Sequence, residues 1–213
     1  MPQKIAVIDY GMGNLRSVSK AVEHVAADAE VRVTDDPGFI EQADRVVFPG
    51  QGAARDCMLA IGEHHLNQAV LRAARSKPFL GICMGLQVLM RHSEENGGTG
   101  LLGLFAGEVR RFDGLALGEA GLPLKIPHMG WSQVRQAGSH PLWRGIDDDS
   151  RFYFVHSYRV VPEDVSLIAA TTDYGVRFTA AIAHENLFAT QFHPEKSAGA
   201  GLQLLKNFVE WSV

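Results

Sequence analysis

The chain is poor in cysteine and has no segregated charge. Cys57 and Cys83 are the two cysteines among 213 residues. They form no CxxC pair, which argues against a disulfide framework or a thiolate zinc site and points to a reducing compartment, the cytoplasm. No run of lysines and arginines breaks the balance of 20 basic against 24 acidic residues, a formal net charge of −4. A phosphate-backbone binder needs a clustered basic face, so nucleic acid is set aside as a partner. The longest apolar stretch, Pro78 to Met90, is interrupted by Gly81, Gly85 and Gln87. It falls short of the ~20 residues that span a bilayer, so a membrane role is set aside as well. The N-terminus reaches Asp9 before any long apolar run and shows no small-residue cleavage site, which argues against a secretory signal.

What remains has the balance of an ordinary globular protein, with 46% hydrophobic and 21% charged residues. No internal repeat, low-complexity tract or linker interrupts the chain, so one domain over residues 1–213 is expected. In the first third, β-branched runs alternate with helical patterns. Strands are expected at Lys4–Tyr10, Glu30–Thr34, Arg45–Phe48 and Pro78–Ile82. Helices are expected over Asn14–Val25, largely over Ala53–Arg75, and from Met84 to about His92. Strand and helix in alternation imply parallel strands with right-handed crossovers. Beyond the polar loop Glu94–Gly100, short strand candidates dominate, at 107–112, 131–135, 152–155, 166–171, 178–183 and 187–191. A last helix, Gly199–Trp211, carries Leu202, Leu205, Phe208 and Val209 on one face. The expected architecture is α/β, a mostly parallel central sheet with an antiparallel extension.

The chemistry concentrates at three places. Cys83 stands in Gly81-Ile82-Cys83-Met84-Gly85, at the junction of a buried strand and the following helix. An isolated cysteine ordinarily packs in a core, and Cys57 is read that way. The Gly-x-Cys-x-Gly frame outweighs that reading for Cys83. Glycines permit a sharp turn, the helix N-terminus favours thiolate, and ligands of open α/β sheets bind at the strands' C-terminal ends. A thiolate nucleophile needs a proton carrier. His193, in Gln191-Phe192-His193-Pro194-Glu195-Lys196-Ser197, is best placed. Residues two apart in extended backbone point to one side, so Glu195 can face the His193 ring and fix its tautomer. His156 is a weaker rival, having no neighbouring carboxylate. The third place is Pro49-Gly50-Gln51-Gly52, after the third strand. It reads either as a plain βα turn or as a source of backbone N–H groups that, with the Met84 N–H, hold an oxyanion. Gln87 either faces the nucleophile or is solvated.

Several motifs are declined. Gly11-Met12-Gly13-Asn14 lacks the third glycine of a dinucleotide loop, Arg16 standing there, so no nucleotide cofactor is expected. His64-His65 cannot present two ligands on one helix face, and no metal is expected. Asp147-Asp148-Asp149 reads as a solvated turn.

With these residues in view, the chain resembles the class I glutamine amidotransferases of Cys-His-Glu type, and within them the branch that serves histidine biosynthesis. The likeness spans essentially the whole chain: Ile8–Ser17, Pro49–Gly52, Gly81–Gln87, Pro127-His128-Met129-Gly130-Trp131, Phe154-Val155-His156-Ser157-Tyr158 and Phe192–Ser197. The resemblance implies a three-layer α/β/α sandwich of flavodoxin-like kind and no cofactor. It implies attack by Cys83 on the amide of L-glutamine, a thioester, and proton transfer by His193 held by Glu195. Positions Gly50, Gly52, Gln87, Ser157 and Tyr158 would line the glutamine pocket, and the Gln51 and Met84 amides would form the oxyanion hole. It further implies a heterodimer with a (β/α)₈-barrel cyclase subunit that uses the ammonia to make imidazole glycerol phosphate and an aminoimidazole carboxamide ribotide. Asn14, Arg16, His128 and Trp131 would lie toward that partner. Gln51, where the family commonly has a small apolar residue, and a longer segment at 115–124, read as a surface insertion, depart from the pattern. The alternatives are a glutaminase serving another synthase, a catalytically silent binding protein on the same fold, and a cysteine hydrolase of the related superfamily.

Overall fold

The computed structural model describes residues 2–11, 14–112 and 124–213. Most of the 115–124 segment, and Met12-Gly13 of the Gly11–Asn14 loop, lie outside these. The first half runs β1 (Lys4–Ile8), α1 (Leu15–Val25), β2 (Glu30–Thr34), α2 (Pro37–Gln42), β3 (Arg45–Gly50), α3 (Ala54–Glu63), α4 (Asn67–Ser76), β4 (Phe79–Cys83) and α5 (Met84–Gln87). The second half runs β5 (His92–Ser93), β6 (Thr99–Gly100), β7 (Gly107–Arg111), β8 (His128–Gln133), β9 (Arg135–Gln136), β10 (Arg151–His156), β11 (Tyr158–Pro162), β12 (Ile168–Tyr174), β13 (Val176–His184), β14 (Leu187–Thr190) and α6 (Ala198–Glu210).

The main sheet has the order β2-β1-β3-β4-β14-β13-β12-β9. Pairing is parallel from β2 through β14 and antiparallel beyond it. Alternation along β1 builds a core on each face: Ala6 and Ile8 pack with residues of α2, α3 and α4, whereas Ile5 and Val7 pack with α1 and α6. Helices therefore cover both faces, the three layers expected. Two smaller sheets, β10-β8 and β11-β7-β5-β6, complete the second half.

Four departures from the sequence reading have physical causes. The helical stretch after Ala53 is two helices, because the backbone turns at His65 (φ 55°) and Leu66 is buried beneath the turn. The helix after Cys83 stops at Gln87 rather than near His92. The Val88, Leu89 and Met90 carbonyls accept from the Leu102, Phe105 and Gly103 N–H groups instead of continuing a helix. Helix α2 was not expected, although Asp36 caps the Gly38 N–H and Pro37 sits at its first position, a sound start signal. On α6 the buried face is Gly201, Leu204, Leu205 and Phe208, with Leu202 and Val209 only part-buried.

Parallel pairing of β4 with β14 aligns Ile82 with Thr190. That register brings Cys83, the last residue of β4, beside the turn that follows β14. On the other side, β3 continues past Phe48 because Pro49 pairs with Ile82 and Gly50 with Cys83.

Candidate active site

Cys83 ends β4 with φ 54° and ψ −100°, in the left-handed region that an L-residue adopts only when its surroundings enforce it. The enforcement is glycine-dependent. A Cβ on Gly85 would overlap the Phe48 carbonyl oxygen, so β3 and α5 approach as closely as they do only because Gly85 has none. Gly50 is similar: a Cβ there would meet the Tyr10 hydroxyl and lie 2.7 Å from the Met84 Cβ. Gly50, expected to line the pocket, is not among the described residues of its wall and pairs with Cys83 next to it.

The turn after β14 holds His193 and Glu195. His193 Nδ1 lies 2.9 Å from Glu195 Oε1, and both side chains are buried, at 2% and 0% exposure. The pairing arises differently from the extended geometry expected, because Pro194–Lys196 is a 3-10 turn with His193 at its head. A Ser197 hydroxyl donating to the His193 carbonyl at 2.6 Å ties the turn down. Among the described residues, His193 Nε2 has no hydrogen-bond partner. Burial disfavours the imidazolium, but the adjoining Cys83 sulfur and the Glu195 carboxylate outweigh it and raise His193 to about 10. The pair is thus set to hold positive charge on imidazole beside sulfur.

Cys83 opens onto a cavity of about 320 Å³, within the range of small-molecule sites. Its walls are Gln51, Gly52, Cys83, Met84, Gln87, Glu95, Pro127, Val155, His156, Ser157 and Tyr158. Of the positions expected at the site, Gly52, Gln87, Ser157, Tyr158, Gln51 and Met84 all lie on the cavity wall. Gln87 is 3% exposed, not solvated. Its Nε2 donates to the Tyr158 carbonyl and to Gln191 Oε1, each at 3.2 Å, so only its Oε1 remains for a ligand.

Two participants escaped the sequence reading. Glu95, the one carboxylate among the described residues of the wall, follows β5 in a 3-10 turn and accepts from the Ala54 N–H at 2.7 Å, capping α3. Its signal was hidden in a polar loop. Gln191, wholly buried, donates from Nε2 to Cys83 Sγ at 3.6 Å. Its place two residues before His193 was the available signal.

The positions read as facing a partner divide. Trp131 is 48% exposed on β8, beside Met129 at 62%. Arg16 is exposed and Asn14 half-buried at the head of α1. His128 is a correction: at 1% exposure it is an interior residue, stacked on Tyr174 and Phe154. Strand β8 starts at His128 because it pairs there with His156 of β10, and alternation turns that side chain inward. His156 has both ring nitrogens engaged, by the Tyr158 carbonyl at 2.8 Å and by His128 at 3.0 Å. Among the described residues, no group of three or more His, Cys, Asp or Glu is placed to hold a metal ion.

The profile of the family described as "Glutamine amidotransferase class-I" matches residues 6–211. The chain is 60% identical over 213 residues to the imidazole glycerol phosphate synthase subunit HisH of Thiobacillus denitrificans, covering 100% of this chain and 93% of that one. It is 59% identical to the protein of that name from Methylococcus capsulatus, covering 97% and 96%. In fold it is similar to a solved structure of PurLQS from Thermotoga maritima, with a TM-score of 0.70 at 18% identity over 99% of each chain.

Proposed function

The chain belongs to the class I glutamine amidotransferases, and on that premise we infer that it is the glutaminase subunit of an imidazole glycerol phosphate synthase, an enzyme of histidine biosynthesis. It releases ammonia from L-glutamine and works with a partner subunit. We propose that this partner is a (β/α)₈-barrel cyclase, that the two form a heterodimer in the cytoplasm, and that residues 1–213 make one domain. The observation that carries the chemical assignment is the strained Cys83 beside a buried His193–Glu195 pair, at the floor of a cavity.

The cavity's chemistry orients the substrate. The Glu95 carboxylate suits the α-ammonium group of an amino acid, with Gln87 Oε1 as a second acceptor, and the Ser157–Tyr158 segment lines the same wall. The side-chain amide then reaches Cys83. Sulfur attacks its carbon, and the developing oxyanion meets backbone N–H groups at Met84 and Gln51. As the C–N bond breaks, His193 passes its Nε2 proton to the departing nitrogen, and ammonia leaves. Glu195, hydrogen-bonded to Nδ1, keeps Nε2 as the proton-carrying face. Water, deprotonated by the now neutral His193, attacks the thioester. The C–S bond breaks, the sulfur regains its electron pair, and glutamate is released.

The test is the complex with its partner subunit. Cys83→Ala is expected to abolish glutamine hydrolysis and glutamine-dependent synthesis while synthesis from added ammonium persists. Glutamine-dependent synthesis surviving in Cys83→Ala would overturn the assignment.

A further inference from the structure

One buried polar chain runs from Cys83 to β8, and the amide group next to the nucleophile is its terminus. Gln191 Nε2 is 3.6 Å from Cys83 Sγ, and Gln191 Oε1 accepts from Gln87 Nε2 at 3.2 Å. Gln87 Nε2 also donates to the Tyr158 carbonyl, which takes a second bond from His156 Nδ1 at 2.8 Å. His156 Nε2 meets His128 Nδ1 at 3.0 Å, and His128 Nε2 meets the Ser132 hydroxyl at 2.9 Å.

The carbonyl fixes the direction of every bond. An oxygen of a peptide group only accepts, so His156 Nδ1 and Gln87 Nε2 must be donors. A neutral imidazole has one N–H, so His156 Nε2 accepts, His128 Nδ1 donates, and His128 Nε2 accepts from Ser132. On the other branch, Gln87 presents N–H to Gln191, which must answer with its oxygen and turn its NH₂ to the sulfur. An inverted Gln191 amide would set N–H against N–H at Gln87 and oxygen against sulfur at Cys83. Burial keeps both imidazoles neutral, pushing His128 down to about 4 and His156 to about 3, the latter against the pull of the Tyr158 carbonyl.

We propose that Gln191 steadies the nucleophile: its N–H donates to the Cys83 sulfur in its anionic form, and the His128–His156 pair, by holding in place the Tyr158 carbonyl that orients Gln87, keeps that N–H aimed at sulfur. The inference rests on Cys83 being the nucleophile. An amide cannot surrender its proton, so every proton transfer stays with His193 while Gln191 supplies a dipole only. A thiolate is a strong acceptor and a thioester sulfur a poor one. The bond is therefore made to the free nucleophile, relinquished on acylation, and regained when water breaks the C–S bond and the electron pair returns to sulfur. Gln191 thus favours the second half of the reaction, in which sulfur leaves as thiolate, and aids the first only by raising the share of sulfur held as thiolate.

Among the described residues, the ionisable groups that act on this sulfur are His193 from the turn after β14 and Tyr10 from beyond β1, with Cys57 of α3 behind it; Glu95 shares the cavity wall. Glu195 and His156 act on His193. None of these is altered by substituting Gln191.

The experiment follows alkylation of Cys83 by iodoacetamide as a function of pH, on the full chain in complex with its partner subunit, with the Cys83 adduct quantified by peptide mass spectrometry. Gln191→Glu keeps an acceptor for Gln87 but removes the donor to sulfur. Gln191→Met removes both polar atoms at similar length and serves where the carboxylate impairs folding. In both, the midpoint of the alkylation profile is expected to rise by about one pH unit, with glutaminase kcat falling about tenfold and KM little changed. His156→Phe is expected to shift the midpoint the same way by a smaller amount. A wild-type midpoint in either Gln191 variant would overturn the role of Gln191, and one in His156→Phe would overturn the role of the histidine pair. Wild-type Cys83 no more reactive than a free thiol, with no glutamyl adduct trapped, would instead overturn the nucleophile assignment.

Discussion

Lowering the pH from 7 to 5 perturbs the buried histidine pair, and the cost follows from the structure. His128 and His156 are 1% and 6% exposed and each has both ring nitrogens hydrogen-bonded in the neutral form. In the unfolded chain each titrates near 6.5; in the folded protein burial lowers them to about 4 and about 3. Below pH 6.5 the unfolded state binds protons that the native state refuses. Stability is therefore present above pH 6.5 and lost as the pH falls toward the folded values. At 1.36 kcal/mol per unit, each histidine costs about 2 kcal/mol between pH 7 and 5, and the pair about 4 kcal/mol. That is a large fraction of the 5–15 kcal/mol typical of a folded domain. His193 acts in the opposite sense. Raised to about 10, it contributes stability that is complete below pH 6.5 and disappears as the pH climbs toward 10. His140, lowered to about 4 by burial, adds to the acid loss. Both are shared by wild type and a His128→Phe/His156→Phe double variant, so their contributions cancel in a comparison. The assay is urea unfolding of both proteins at the two pH values. The wild type is expected to lose about 4 kcal/mol more than the double variant. Equal losses, within about 1 kcal/mol, would refute the neutral-pair assignment, as would histidine ring signals of 128 or 156 that titrate above pH 6 by NMR.

Two further outcomes test the site from other directions. Gly85→Ala is expected to cost about 3 kcal/mol in thermal or urea unfolding, because its Cβ would overlap the Phe48 carbonyl oxygen and force β3 from α5; wild-type stability with full activity would show that the close approach is dispensable. Glu95→Gln keeps an acceptor for the Ala54 N–H but loses the charge on the cavity wall. Its glutamine KM is expected to rise tenfold or more with kcat within a few-fold of wild type, and an unchanged KM would remove Glu95 from substrate binding.

The parallel half of the fold was legible because its central strands β1, β3 and β4 are buried on both sides and read as unbroken apolar runs, as in Ile5–Ile8 and Val46–Phe48, while the exposed edge strand β2 alternates valine with polar residues. The candidate nucleophile was legible because a glycine frame at a strand end is a local feature. What escaped depended on distant chain. Val88–Met90 continue a helical pattern in sequence, yet their carbonyls are taken by residues 102–105. Strand β11 and the inward turn of His128 follow from pairing with β7 and β10. Gln191 could be assigned only once Cys83 and Gln87 were beside it, contacts spanning 108 and 104 residues. Glu95 was obscured for the same reason, since its hydrogen bond reaches 41 residues back to the start of α3.

The anchoring of the segment after β3 limits how this enzyme can be switched. Gly50 is locked into the ladder opposite Cys83, and Ala54 is held by the Glu95 carboxylate. Only Gln51, Gly52 and Ala53 are suspended between these two fixed posts, with Gly52 at φ 96° supplying the swivel. Any reorientation of amides toward the substrate oxygen must therefore be a crankshaft rotation in place, with almost no travel of the flanking chain. Scattering profiles and overall shape would register nothing of it, whereas ¹⁵N exchange broadening at Gln51 and Gly52 would report it directly.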